Sequence, residues 1–527
     1  MSKHLFWTAA ALALSSTAAM ADFELTILHT NDFHARFEPI SSSDSTCGAK
    51  DIEAGKCFGG SARQVTAVEE AKARAGNKPW ILVDGGDQFQ GTLFYTYYKG
   101  AASAEMMNKL GYTAMTVGNH EFDDGPEVLA GFVDAVNFPL LMSNADISLE
   151  PLLKDKIAKS VVVEKGGERI GLIGLTPHDT PELASPGPNV NFTDPVEAVQ
   201  GEVDRLTAEG VNKIIVLSHS GLPVDIRVAE NTTGVDVIVG GHDNQLMSNT
   251  IEGAKNPYPL MVGDTAIVQA YAYGKLLGEL NVTFDDEGKV IKAEGEPVLL
   301  DASVTEDAET AARVTEMAKP LDEIRAKVVS ATSGYIEGDR NVCRVEECAM
   351  GNLVAEAQLD RVKSQGITLS IANSGGLRAS IDEGEVTMGE VLTVLPFQNT
   401  LSTFEATGQM MLDALENGAS QIEEVAGRFL QVAGMKYTVD LTKPAGERIS
   451  DVQVQAADGT WGPIDPAATY GVVANNFTRN GGDGVSMFVD APKAYDFGPD
   501  LADVVAEYLA ANQPYAPVID GRITIKK

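Results

Sequence analysis

The sequence predicts an α/β protein of two domains: a layered first domain, sheets covered by helices, joined through a charged helix to an α/β second domain. Three observations carry this prediction. At 527 residues the chain exceeds what one compact core supports. Several short, β-branched apolar runs end abruptly in polar residues: FELTILHTNDFH, PWILVDGGDQ, TAMTVGNH, NKIIVLSHS and VDVIVGGHDN. Runs of this kind suit strands covered on both faces. Helical stretches such as PVEAVQGEVDRLTAEG (195–210) lie between some of them, an alternation in which functional groups gather on loops at strand carboxyl ends.

In chain order, residues 1–21 (MSKHLFWTAAALALSSTAAMA) combine a Lys, an apolar stretch and an Ala-Met-Ala end. They read as a secretory signal cut after Ala21, too short for a membrane span. The tail RITIKK carries no lipid-anchor signal, so a periplasmic protein without a membrane anchor is expected. The first domain is assigned to residues 22–304. TEDAETAARVTEMAKPLDEIRAKV (305–328) reads as a charged linker helix, and the second domain runs over 329–527 with strand-like stretches GITLSIA and ATYGVVAN. Cys47 lies near Cys57 and Cys343 near Cys348, a spacing that predicts two local disulfides in an oxidising compartment. The net charge of −35 excludes a nucleic-acid polymer as partner. It also requires any phosphate site to supply positive charge locally.

The polar turns after the strands carry the chemistry. Of the seven histidines, six follow the leader: His29, His34, His120, His178, His219 and His242. His29 and His178 are read as structural. The remaining turns offer Asp32, His34, Asp87, Asn119, His219, His242 and Asn244. Carboxylate, imidazole and amide together suffice for two adjacent divalent metals, with Asp87 as the bridging carboxylate. Such pairs sit roughly 3.5–4 Å apart and clamp the attacking and leaving oxygens of an in-line displacement. The mixed donor set leaves zinc, manganese, cobalt and iron open.

The order DxH, GDQxQGT, GNHEFD, SHSG and GGHxN resembles the calcineurin-like metallophosphoesterases, and especially the 5'-nucleotidase family, through nearly the whole chain after the leader. The resemblance implies a β-sandwich flanked by helices for the first domain and an α/β nucleotide-binding second domain. It implies one metal site from Asp32, His34, Asp87 and Asn244, and another from Asp87, Asn119, His219 and His242. His120 is then a non-ligand that approaches the phosphoryl group, with Asp123 on its other ring nitrogen favouring the protonated form. Glu121 and Asp124 are read as loop residues.

In the second domain NVCRVEEC (341–348), IANSGGLRAS (371–380), LPFQNT (395–400) and NNFTRNGGDG (475–484) resemble the family's nucleotide-binding signature. By that resemblance Phe397 and Phe477 sandwich the base, Asp483 accepts from ribose hydroxyls, and Arg344 and Arg378 contact phosphate with Asn373 nearby. The implied activity is hydrolysis of nucleoside 5'-monophosphates by metal-activated water, extending to di- and triphosphates and UDP-sugars. The neighbouring alternative is a 2',3'-cyclic-nucleotide 2'-phosphodiesterase/3'-nucleotidase. A nucleotide-binding protein with a decayed metal centre is the non-enzymatic one. A monomer is expected, with a homodimer as the other arrangement, and a hinge is expected within 305–328.

Overall fold

A computed structural model describes residues 22–527 except 43, 45, 46, 398, 457, 458, 496 and 497. The predicted signal segment therefore lies outside the described residues. The apolar runs form strands. Phe23–Thr30, Trp80–Asp84, Ala114–Thr116 and Leu140–Leu141 pair in parallel, and Leu276–Phe284 and Val290–Gly295 extend that sheet antiparallel beside Phe23–Thr30. A second sheet runs Leu260–Val262, Thr265–Val268, Val237–Val239, Ile214–Ser218, Glu168–Leu175, Ser160–Lys165, parallel at its centre.

The two sheets bury one core between them, in which Leu25, Ile27 and Ile81 of the first meet Ile170, Ile215 and Val237 of the second. The far face of the first sheet packs a separate core under Ser61–Ala75, Gly100–Leu110 and Gly125–Ala135. Helices Pro195–Ala208 and Leu222–Asn231 cover the second. The result is the layered α/β architecture expected of the strand-and-helix alternation, in the form of the helix-flanked sandwich that the family resemblance implies. Continuous burial on both faces explains why these strands read as unbroken apolar runs.

The linker segment forms helix Ala308–Arg325, capped by Asp307, whose side chain accepts from the Thr310 amide. It is not a free-standing rod. Val314, Met317, Ala318 and Leu321 recur at helical spacing and sit in the core of the first half, and Arg325 pairs with Glu38 at 2.7 Å. The chain then crosses through Ala326 and Lys327 into strand Val328–Thr332.

Beyond it, Leu401–Thr407, Thr469–Asn475, Leu369–Asn373 and Leu430–Ala433 form a four-stranded sheet, and Trp461–Pro463, Ile449–Gln455, Met435–Asp440 and Ile523–Lys526 another. Helices Ala349–Val362 and Leu501–Ala511 share the core on one side of the first of these sheets. Both expected disulfides are formed, Cys47–Cys57 and Cys343–Cys348, with Cα separations of 5.8 and 5.0 Å.

Candidate metal centre and nucleotide cavity

Each turn that follows a central strand delivers a polar side chain to one point. Asp32 and His34 follow Phe23–Thr30, Asp87 follows Trp80–Asp84, and Asn119 and His120 follow Ala114–Thr116. His219 follows Ile214–Ser218, while His242 and Asn244 follow Val237–Val239. Both sheets therefore contribute. Asp32, His34, Asp87, His242 and Asn244 all have positive φ, between 50° and 79°. Strained backbone of this kind persists where the surrounding structure fixes it, commonly at functional sites.

Asp87 is the shared member. His34, Asp87 and His120 form one group, and Asp87, His219 and His242 another, with ligand atoms in each group within 4.8 Å of one another. Asp87 Oδ1 accepts from the His120 amide at 3.0 Å, which leaves Oδ2 at 2.9 Å from His219 Nε2 and 3.8 Å from His34 Nε2. Asp32 Oδ2 accepts from Asn31 Nδ2 and the His242 amide at 2.8 and 2.9 Å, while its Oδ1 is buried without a hydrogen-bond partner.

The histidines are held in a ligand-ready tautomer. His34 Nδ1 donates to the Phe89 carbonyl at 2.9 Å and His219 Nδ1 to the Gly85 carbonyl at 2.6 Å, so each presents Nε2 to the carboxylates. Carbonyl partners of this sort orient metal-binding imidazoles. Burial holds the His34 and His242 imidazoles well below their ordinary range, in the neutral form that offers a lone pair to a cation. Both amide atoms of Asn244 are buried and unpartnered, and Asn119 Oδ1 faces His242 Nδ1 at 3.0 Å.

Burial pushes the Asp32 carboxyl up to about 6. Burial also works to raise Asp87, but His219 and His120 outweigh it and hold that carboxyl well below the usual range. Two buried carboxylates, orphaned acceptor atoms and neutral imidazoles in one place fit divalent cations.

His120 differs from these. Burial works to lower its pKa, but Asp123 and Asp87 outweigh it and the imidazole is raised. Its Nδ1 donates to Asp123 Oδ2 at 2.6 Å. Asp87 and Asp32 likewise outweigh burial at His219 and raise it to about 10, so His120 is set apart instead by the carboxylate on its Nδ1, where His34 and His219 have backbone carbonyls.

Glu121 is no loop residue. It is fully buried, and its carboxylate accepts four backbone N–H groups: Gly118 at 2.7 Å and Asp87 at 3.0 Å on Oε2, Gln88 at 2.8 Å and Phe89 at 3.2 Å on Oε1. It ties the turn carrying Asn119 and His120 to the turn carrying Asp87. Asp124 accepts from Tyr95 Oη at 2.6 Å and Lys99 Nζ at 3.0 Å, a surface tether. His29 is buried against Tyr258, 2.7 Å from its hydroxyl, as a structural residue. His178 is exposed and lines the cavity described next.

The second half closes over this centre around a cavity of about 550 Å³. Arg344, Asn373, Arg378, Phe397, Phe477 and Asp483 all line it, together with His34, Asp87, Asn119, His120 and His242. Arg378 Nη2 lies 3.3 Å from His34 Nε2. The Phe397 ring stacks on His120 with centroids 5.5 Å apart and carries the Arg378 guanidinium 5.5 Å from its centre. Asp483, at positive φ, accepts from Asn373 Nδ2 at 2.6 Å, and Asn373 accepts from Asn475 at 2.8 Å. Arg340 and Arg428, not singled out from the sequence, line the same cavity.

Comparisons with known proteins agree across the chain. A family model described as calcineurin-like phosphoesterase matches residues 25–246, and one described as 5'-nucleotidase, C-terminal domain, matches residues 326–490. The 5'-nucleotidase of Diplobatis ommata is 38% identical over 539 residues, spanning 97% of this chain and 92% of that protein. The chain belongs to the 5'-nucleotidase family. The human 5'-nucleotidase is 36% identical over 530 residues, 96% of this chain and 91% of that one. The crystal structure of a 5'-nucleotidase precursor from Thermus thermophilus superposes with a TM-score of 0.91 at 40% identity, covering 96% of this chain and 99% of that chain. As a 5'-nucleotidase family member with a metallophosphoesterase domain, the chain is a metal-dependent phosphoesterase hydrolase.

Proposed function

We propose that the chain is an exported 5'-nucleotidase with two divalent cations, one held by Asp32, His34, Asp87 and Asn244 and the other by Asp87, Asn119, His219 and His242. The observation that carries this reading is Asp87, the one residue common to both candidate ligand groups. When bound, divalent cations supply Lewis acidity toward phosphoryl oxygens and activate water for in-line attack at phosphorus.

The chain's own residues do the rest. Arg344 and Arg378 hold the phosphate and supply the positive charge that an acidic chain otherwise lacks. Phe397 and Phe477 take the base between their faces, since aromatic faces stack on any nucleobase, and Asp483 accepts from ribose hydroxyls. Asp123 keeps His120 protonated, so that its Nε2–H stabilises charge developing on the phosphoryl oxygens or leaving group. Closure of the second half over the centre excludes water from a substrate that spans both.

Export to the periplasm rests on the residue 1–21 leader and the two disulfides. Among the described residues no helix is long and apolar enough to cross a membrane.

The test is metal stoichiometry. Chelator-stripped protein titrated with manganese or zinc should recover AMP hydrolysis with an end point at two equivalents per chain. Full activity at one equivalent, or activity untouched by stripping, overturns the two-cation reading.

A further inference from the structure

Arg344 is a buried cation with little direct support. It is 7% exposed, its Nε has no hydrogen-bond partner, and its Nη1 reaches the Val425 carbonyl at 3.3 Å. Burial and the neighbouring Arg340 and Arg378 hold its pKa well below the usual guanidinium range. A long side chain placed this way depends on the backbone beneath it.

That backbone is the ring closed by the Cys343–Cys348 disulfide, and among residues 343–348 only Arg344 lines the cavity. The inward side of the ring converges on one side chain. Gln431, on strand Leu430–Ala433 and fully buried, donates from Nε2 to the Cys343 carbonyl at 2.8 Å and to the Glu346 carbonyl at 2.7 Å. Its Oε1 accepts from the Cys348 amide at 3.2 Å. Both amide hydrogens and the carbonyl are used, which also fixes the orientation of the amide group. Ser374 Oγ adds a second contact to the Cys343 carbonyl, 2.6 Å away.

The surrounding fold makes room for this arrangement. Gly351 stands in the first turn of helix Ala349–Val362, where a Cβ would lie 2.3 Å from Gln431 Cγ. Glycine is unfavourable inside a helix relative to alanine, so its presence here is explained by the path of the Gln431 side chain.

We propose that Gln431 is a positioning residue for the nucleotidase reaction, its amide fixing the disulfide ring so that Arg344 presents its guanidinium to the substrate phosphate. This rests on the reading of Arg344 as a phosphate contact. Gln431 itself does not line the cavity. Its effect should therefore appear in phosphate recognition and vanish when Arg344 is gone.

The experiment is a double-mutant cycle in the full chain. Gln431→Met keeps side-chain length and removes all three hydrogen bonds. In the wild-type background it should raise the KM for AMP about tenfold, within the range for contacting networks. The inhibition constant of inorganic phosphate should rise by a similar factor, while that of adenosine and the metal content stay unchanged. In an Arg344→Ala background the same substitution should change KM less than about twofold. An equal effect in both backgrounds, or none in the wild type, overturns the proposal. If Arg344→Ala is itself silent, the phosphate reading of Arg344 fails and the proposal falls with it. If Arg344→Ala is damaging but Gln431→Met is silent, only the role of Gln431 is refuted. Ser374→Ala, which removes the other side-chain contact to the Cys343 carbonyl, runs through the same cycle should Gln431→Met not fold. It should give a smaller rise of about threefold that likewise disappears without Arg344, and an equal rise in both backgrounds overturns the proposal in the same way.

Discussion

Replacing Glu121 by glutamine should loosen the metal centre without removing any of its proposed ligands. The carboxylate takes two backbone N–H groups on each oxygen, from Gly118 and Asp87 on one and from Gln88 and Phe89 on the other. An amide keeps one accepting oxygen and turns an NH₂ group toward the other pair. Each buried donor left without an acceptor costs about 1–3 kcal/mol, so the gross loss is about 2–6 kcal/mol. Burying a neutral amide instead of a carboxylate offsets part of that, leaving about 2–3 kcal/mol against the ordered loop. Because the Asp87 turn must be ordered to bind cations, this corresponds to a roughly 30- to 150-fold loss of metal affinity. Competition with a chromophoric chelator measures it directly, with circular dichroism as the control for folding. A Glu121→Gln protein that folds and binds metal with unchanged affinity would refute the reasoning.

Other variants separate the remaining roles. His120→Ala should lower kcat by about 10²- to 10⁴-fold with metal content near normal, measured by elemental analysis beside steady-state rates; loss of the metals would make it a ligand instead. Asp123→Asn removes the charge that raises the His120 pKa, so the alkaline limb of the pH–rate profile, where the imidazolium is lost, should move to lower pH. An unchanged limb would detach that limb from His120. Phe477→Ala should raise the KM for AMP by roughly 5- to 150-fold, the value of one stacking face, while inhibition by inorganic phosphate stays the same.

Much of the candidate metal centre was legible because strand periodicity and polar punctuation coincide. A run such as IIVLS that stops at His219 declares both a buried strand and a residue delivered at its end. Glu121 escaped notice for the opposite reason. A carboxylate next to a histidine in a turn looks like a solvated loop residue, and its four amide partners come from two turns about thirty residues apart. The linker helix was visible as a helix, but its side chains Val314, Met317 and Leu321 also carried a periodic stripe that ties it to the first core. Gln431 had no signal at all. A glutamine in an apolar strand declares nothing until the ring it holds is folded against it. The meeting of the two halves, with Arg378 3.3 Å from His34 and Phe397 on His120, likewise depends on tertiary closure rather than on any local pattern.

Phosphate release from AMP, 3'-AMP and 2',3'-cyclic AMP by the chelator-stripped and metal-replenished chain tests the central claim most directly, with ADP and UDP-glucose added to map breadth. The account predicts metal-dependent hydrolysis of AMP well above the 3' and cyclic substrates. A preference for 3'-AMP or the cyclic nucleotide would keep the metal chemistry and contradict the assignment of Phe397, Phe477, Asp483, Arg344 and Arg378 to a 5'-nucleotide.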